Sequence, residues 1–232
     1  MTIDELIEKA HGCNVDITPE MKVQFERYIQ LLQEWNEKMN LTAITDTDEI
    51  IEKHFYDCIL PLGITPLEGK AADIGSGAGF PGIVWKIVLP QLHLTLVEPT
   101  GKRCTFLKEV IHELNLKDIE VVNQRSEEFV VNARESFDVV SARAVANLRV
   151  LSELTLPLVK KGGFFIAMKG SRGYEEAKEA EHAMSVLGAV LETSQDVSLY
   201  SGDERVNLFY RKKETTPSQY PRNYGTIKKK PL

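Results

Sequence analysis

The chain lacks any apolar run approaching the roughly 20 residues that a membrane-spanning helix needs. Its opening, MTIDELIEKA, is acidic where a secretory leader is basic and then apolar. Together these absences predict a protein that is neither exported nor anchored, and therefore a cytoplasmic one. Cysteine is scarce: Cys13, Cys58 and Cys104 are scattered, odd in number and never spaced as C-x-x-C. That argues against a disulfide framework or a zinc site and for reduced thiols. His54 and Asp57 lie three apart on a helical pattern, but no third ligand keeps suitable spacing, so no metal is expected. Internal repeats are absent, and the one biased segment is the ending PSQYPRNYGTIKKKPL.

What is present fits a packed enzyme-sized domain: 232 residues, 43% of them hydrophobic and 27% charged. The net charge of −6 is uneven, because residues 211–232 hold seven of the 28 Lys and Arg but one of the 34 Asp and Glu. A basic tail on an acidic body points to a polyanionic partner, or to a solvated terminus that binds nothing.

Thr18-Pro19-Glu20 opens a helix with a capping hydroxyl and proline at the first turn. Phe25, Tyr28, Leu32, Trp35 and Met39 then step along one apolar face, which reads as core. Asn40 reads most simply as the C-terminal cap of that helix, with a hydrogen bond to substrate as its alternative, and a second helical pattern through Ile51, Phe55 and Cys58 or Ile59 runs to Pro61. From residue 70 short apolar runs alternate with helical stretches: strands at 71–74, 93–98, 119–123, 137–142 and 163–169, helices near 81–89, 101–115, 148–160 and 174–187. That alternation predicts a doubly wound α/β sheet with right-handed crossovers. Two further runs, 189–199 and 205–212, flank the turn signal Tyr200-Ser201-Gly202-Asp203 and predict an antiparallel edge hairpin. Five βα-type strands closed by a hairpin look like the class I S-adenosylmethionine (SAM)-dependent methyltransferase fold, with a mostly parallel seven-stranded sheet and added N-terminal helices. The expected division is a helical segment at 1–62, a Rossmann-like domain at 63–212 and a basic tail at 213–232.

The stretch ADIGSGAGFPG follows the first strand, where open α/β sheets bind their ligands. Gly75, Gly77 and Gly79 allow a sharp turn and close ligand approach, although Gly77, Gly79 and Gly82 also match the dinucleotide pattern G-x-G-x-x-G. Asp73 would repel a pyrophosphate, whereas it suits the ammonium and sulfonium of SAM; a local role bonding loop amides is its alternative. Glu98 ends the second strand, where an acid accepts from ribose hydroxyls. Ser126 and Glu127 follow the third strand, where an adenine edge is read, or else they form an ordinary helix N-cap.

With these residues in view, the chain resembles the RsmG (GidB) family through WNEKMNLTAI, KHFYDC, DIGSGAGFPGI, VEPTGKRCTFL, SARAVANL, MKG and YPRNYGTIKKKPL. The resemblance covers nearly the whole length. It implies transfer of a methyl group from SAM to N7 of a guanine in 16S ribosomal RNA, free or within the small ribosomal subunit or its assembly precursor. It also implies SAM contacts at Gly75, Phe80, Ser126, Glu127 and Arg143, with Glu98 in place of a more usual Asp. The site lacks D/N-P-P-Y after the fourth strand and a Pro-Cys nucleophile, which suits a base nitrogen that needs no deprotonation. Arg143 is the side chain expected between cofactor and RNA, with a structural ion pair as the alternative. Lys169 is expected to reach RNA or to be a solvated charge. Arg222, Lys228, Lys229 and Lys230 are the tail's candidate RNA contacts, and Tyr220 and Tyr224 could stack on unpaired bases. A nicotinamide-dependent dehydrogenase and a non-catalytic RNA-binding module on the same scaffold are the rival readings.

Overall fold

The computed structural model describes residues 1–143 and 145–232. Helix α1 (Ile3–His11) begins with a reciprocal cap, in which Thr2 Oγ1 accepts from the Glu5 amide and the Glu5 carboxylate accepts from the Thr2 amide. Helix α2 (Pro19–Met39) starts on Thr18 and Pro19 and stops at Asn40, whose left-handed φ of 47° suits a C-terminal cap, as the sequence predicts. The next stretch departs from the single helix expected up to Pro61. α3 (Thr47–Ile50) widens into a π turn over Ile51–Tyr56, then continues through α4 (Asp57–Ile59) to a 3₁₀ turn over Leu60–Gly63. The wide turn re-phases the buried face, so that Ile51, Phe55, Cys58 and Ile59 enter the core together with polar His54 and Asp57.

Strands and helices then alternate: β1 (Lys70–Ile74), α5 (Gly82–Val88), β2 (His93–Val97), α6 (Gly101–Glu113), β3 (Ile119–Val122), α7 (Ser126–Ala133), β4 (Phe137–Arg143) and α8 (Leu148–Thr155). The series continues with β5 (Val159–Gly170), α9 (Gly173–Glu179), α10 (Glu181–Val186), β6 (Ala189–Ser198) and β7 (Glu204–Lys212). The strands lie side by side in the order β3-β2-β1-β4-β5-β7-β6. β1 to β5 pair in parallel, and β7 inserts antiparallel between β5 and β6. This is the seven-stranded mixed sheet read from the sequence. β5 starts four residues earlier than the apolar run suggests, because the 3₁₀ turn over Leu156–Leu158 gives way at Val159 to extended backbone that already pairs with Phe137.

Both faces of the sheet are covered, which is why its central strands are apolar on both sides. Ala71, Leu94, Leu96, Val139, Ile166 and Phe209 face one cluster, shared with α5, α6 and the N-terminal helices through Leu6, Phe25, Tyr28 and Phe55. Ala72, Val97, Val140, Phe165 and Leu208 face the other, with α7, α8 and α10. No helix among the described residues is long and apolar enough to cross a membrane.

The basic tail is strapped to the body. Arg134 donates to the carbonyls of Thr216, Pro217 and Tyr220, and Arg149 donates to those of Pro231 and Leu232. Asn223 caps α11 (Tyr224–Lys229), which buries Ile227. The fully buried Lys212 donates to Leu156 O and Thr216 Oγ1, and burial lowers its pKa to about 8. Arg222 closes the strap, its Nε and Nη2 donating to the carboxylate of fully buried Glu153, which also accepts the Arg222 amide at 2.7 Å. Replacing Arg222 by Met would leave that carboxylate buried without its cation. The expected loss is about 3 kcal/mol, read as a lower urea midpoint. Lys228→Ala, on the exposed side of α11, should change stability by less than about 0.5 kcal/mol.

Candidate active site

After β1 the chain turns through the glycine loop beneath the N-terminal helices. At Gly79 φ is 99°, and a Cβ would stand 2.6 Å from the Tyr28 hydroxyl, so only glycine fits where α2 crosses. Tyr28 in turn donates its hydroxyl proton to the Ala78 carbonyl. Gly75 has φ 69°, and a Cβ there would lie 2.7 Å from Val145, on the segment after β4. The Gly77 amide donates to Glu98 Oε2 at 2.9 Å, and the Thr100 amide donates to Glu98 Oε1 at 2.8 Å. Glu98 is thus fixed just beyond β2 with one loop amide on each oxygen, and each oxygen retains a second lone pair.

Asp73 lies fully buried below this loop. Its Oδ2 accepts the Gly82 amide at 3.0 Å and its Oδ1 accepts the Ser141 hydroxyl at 3.3 Å. Burial raises its pKa to about 7, against the opposing pull of the Gly82 amide and of Arg143. Of the two roles the sequence leaves open for Asp73, these contacts supply the local one. Ser126 is the first residue of α7 and not its N-cap, contrary to the capping alternative. Arg125 holds the cap position, and the Ser126 hydroxyl donates to the Leu154 carbonyl in α8. Glu127 stands half-buried beside it. Strand order sets these two next to the end of β2, and so in one row with Glu98 and the loop.

Across the loop a cavity of about 520 Å³ opens at the ends of β4 and β5, lined by His54, Asp57, Arg143, Lys169, Arg172 and Arg205 among others. Arg143 Nη1 donates to Asp57 Oδ2 and to the Lys53 carbonyl, both at 3.0 Å, and its guanidinium lies 4.8 Å from the Phe80 ring centre. Its Nη2 reaches His54 Nδ1 at 3.1 Å, and His54 stacks on Phe80 at 4.4 Å. The same Nδ1 stands 3.1 Å from the Lys53 carbonyl, and Nε2 lies 3.0 Å from Thr42 Oγ1. Burial and the neighbouring Arg143 lower the His54 pKa to about 3, so the ring is neutral. Lys169 is not a solvated charge: its Nζ donates to the Ala146 carbonyl at 2.6 Å and pairs with Glu176 at 2.8 Å.

The fold therefore gathers Gly75, Gly77, Gly79, Phe80 and Glu98 in one loop region, with Asp73 beneath it, and joins Arg143 and Lys169 in the adjoining cavity. His54 and Asp57, which the sequence presents only as an incomplete metal pair, hold Arg143 instead. Their place in KHFYDC, one of the family-like segments, was the available signal. Arg205 had none, because the antiparallel register of β7 brings it there. Among the described residues no cluster suits a metal ion.

The raised pKa of Asp73 has a sign. Between about pH 4 and 7 the folded chain holds this proton while the unfolded chain has lost it, so the residue's contribution to stability falls as pH rises and levels off above. Asp73→Asn keeps an acceptor for Gly82 and does not titrate. Its unfolding free energy, relative to the parent, should therefore improve from about pH 5 to about pH 7.5 in urea titrations. A constant difference would mean the carboxylate is ionised throughout.

The solved structures similar to this chain share its fold. A SAM-dependent methyltransferase from Aquifex aeolicus aligns with a TM-score of 0.55 at 15% identity, over 73% of this chain and 96% of that one. The YcgJ protein of Bacillus subtilis aligns with a TM-score of 0.56 at 12% identity, over 69% of this chain and all of that one. In sequence, the ribosomal RNA small subunit methyltransferase G of Staphylococcus aureus strain JH9 is 48% identical across 100% of this chain and 99% of its own length. The profile of the GidB family, described as rRNA small subunit methyltransferase G, matches residues 21–202. With that match and the full-length identity added to the sheet order and the glycine loop, the chain belongs to the GidB family of small-subunit ribosomal RNA methyltransferases.

Proposed function

We propose that this protein transfers the methyl group of SAM to N7 of a guanine in 16S ribosomal RNA, on the small ribosomal subunit or its precursor, in the cytoplasm. The observation that carries the reading is the arginine- and lysine-lined cavity beside the glycine loop, linked to it where Arg143 of the cavity wall lies over the Phe80 ring of the loop. Gly75, Gly77, Gly79, Phe80, Glu98, Ser126 and Glu127 would hold the cofactor together with Arg143, which would stand between it and the RNA, and Asp73 shapes the loop from below. The fit is chemical: the Glu98 oxygens keep lone pairs for ribose hydroxyls. When bound, SAM supplies an electrophilic methyl on a cationic sulfur.

Guanine N7 carries an unprotonated lone pair at neutral pH, so no residue has to remove a proton. The cavity's groups suit that chemistry. Asp57 and Glu176 are both bound to cations and His54 to a guanidinium, which leaves positioning and charge to do the work. Arg143 and Lys169 are accordingly positioning contacts for the RNA. The test is to incubate the purified protein with SAM and small subunits from a strain lacking the gene, then cleave the RNA reductively at 7-methylguanosine. One strong cleavage in 16S RNA is expected. Methyl incorporation without cleavage would move the target off N7.

The tail contributes a second RNA contact in this reading. Arg222 is occupied by Glu153, so the contact falls to Lys228 and Lys229 on α11 and Lys230 just after it, all exposed. Tyr224 stands beside them against Arg125, at 5.3 Å. Replacing the three lysines by alanine should weaken RNA binding and flatten its dependence on salt, with SAM affinity and melting temperature unchanged. An unaltered salt slope would remove the tail from the RNA interface.

A further inference from the structure

Two conspicuous sequence segments, NLTAI and KHFYDC, lie outside the cofactor loop and supply no group to methyl transfer itself. The structure brings three residues of the second, Lys53, His54 and Asp57, onto the cavity's arginines, and Thr42 of the first onto His54. Asp57 is almost completely buried. Its Oδ2 binds Arg143 from the end of β4 at 3.0 Å, while Arg205 Nε from β7 stands 3.4 Å from its Oδ1. β4 and β7 are not neighbours; β5 runs between them. One carboxylate from the N-terminal helices thus spans two guanidiniums carried by separate strands.

From this arrangement we propose that Asp57 is a positioning residue which holds Arg143 and Arg205 as a two-pronged clamp for an RNA phosphodiester beside the target base. The proposal rests on the cavity being the RNA site. Two guanidiniums repel when they converge on one cleft, and the buried carboxylate between them offsets that repulsion in a setting where solvent screens poorly. The pair is asymmetric. Arg143 is held on several sides, by Asp57, the Lys53 carbonyl and His54, whose orientation is fixed in turn by Thr42. Arg205 is held loosely: Asp57 Oδ1 makes no hydrogen bond among the described residues, and the other contacts of Arg205 are the Glu204 carbonyl at 3.0 Å and half-exposed Asp203 at 3.8 Å. Arg143 is the fixed prong and Arg205 the adjustable one. Guanidinium forks match phosphate oxygens in pairs, and each arginine retains N–H groups beyond those engaged here.

A purely structural Asp57 would only dock the N-terminal helices on the sheet, and its loss would then lower stability and SAM affinity together. The proposal predicts a split. Asp57→Asn, which keeps the shape and removes the charge, should lower kcat/KM for small subunits at least tenfold, mainly through KM, with the SAM dissociation constant within twofold of the parent. Arg205→Gln should do the same while leaving the Asp57–Arg143 pair in place, so it tests the clamp even if Asp57→Asn fails to fold. Because Asp57 acts through the arginines, the double variant should be little worse than either single one. Retained RNA affinity in Arg205→Gln, a kcat/KM within twofold in folded Asp57→Asn, or additive losses would each overturn the clamp. Filter binding of 16S RNA, run beside the methylation assay on the parent, separates this from failure of the proposed function. A parent that binds RNA but does not methylate it overturns the function, while the clamp is still read from binding.

Discussion

The Asp73 carboxylate receives hydrogen bonds from two directions, the Gly82 amide at the start of α5 and the Ser141 hydroxyl within β4. One buried acid therefore fixes the end of the central strand, the exit of the glycine loop and the neighbouring strand together. An interior polar group of this kind is costly unless its partners are all in place. That requirement makes the loop's shape a property of the whole sheet, so the loop and the cavity beside it are held by the same contact.

The N-terminal helices complete the site from above. Tyr28 reaches the loop carbonyl at Ala78, and Phe80 is packed among Tyr28, Phe55 and His54. These helices share a continuous apolar cluster with one sheet face. The packing that makes them part of the core also delivers His54 and Asp57 to Arg143, so the folding of this segment and the geometry of the cavity are one event.

Legibility from sequence followed the range of the interactions. The strands, the Thr18-Pro19 helix start and the Tyr200-Ser201-Gly202-Asp203 turn depend on local pattern and chain stereochemistry, and they were readable. Arg143 is legible in the sequence and its partners are not, because they are brought to it from about 90 residues away by packing alone. For Ser126 the local cue suggested a cap, and the tertiary acceptor on Leu154 took the hydroxyl instead. The π turn escaped because a change of helical phase leaves composition untouched. The tail's charge points to a polyanionic partner or a solvated terminus and is silent on the strap, since composition records Arg222 but not the buried Glu153 that pairs with it.

That strap has a consequence for synthesis. Glu153 lies in α8, 69 residues before its cation, and β6 finds its only sheet neighbour in β7, which follows it in the chain. While the growing chain is still threaded through a ribosome, α8 has no guanidinium to cover its carboxylate and the far side of the sheet has an unpaired edge. The second apolar cluster counts Leu208 and Tyr210 of β7 among its buried members and packs against Tyr220 and Leu232, so α8 waits for residues made well after it before its apolar face is covered.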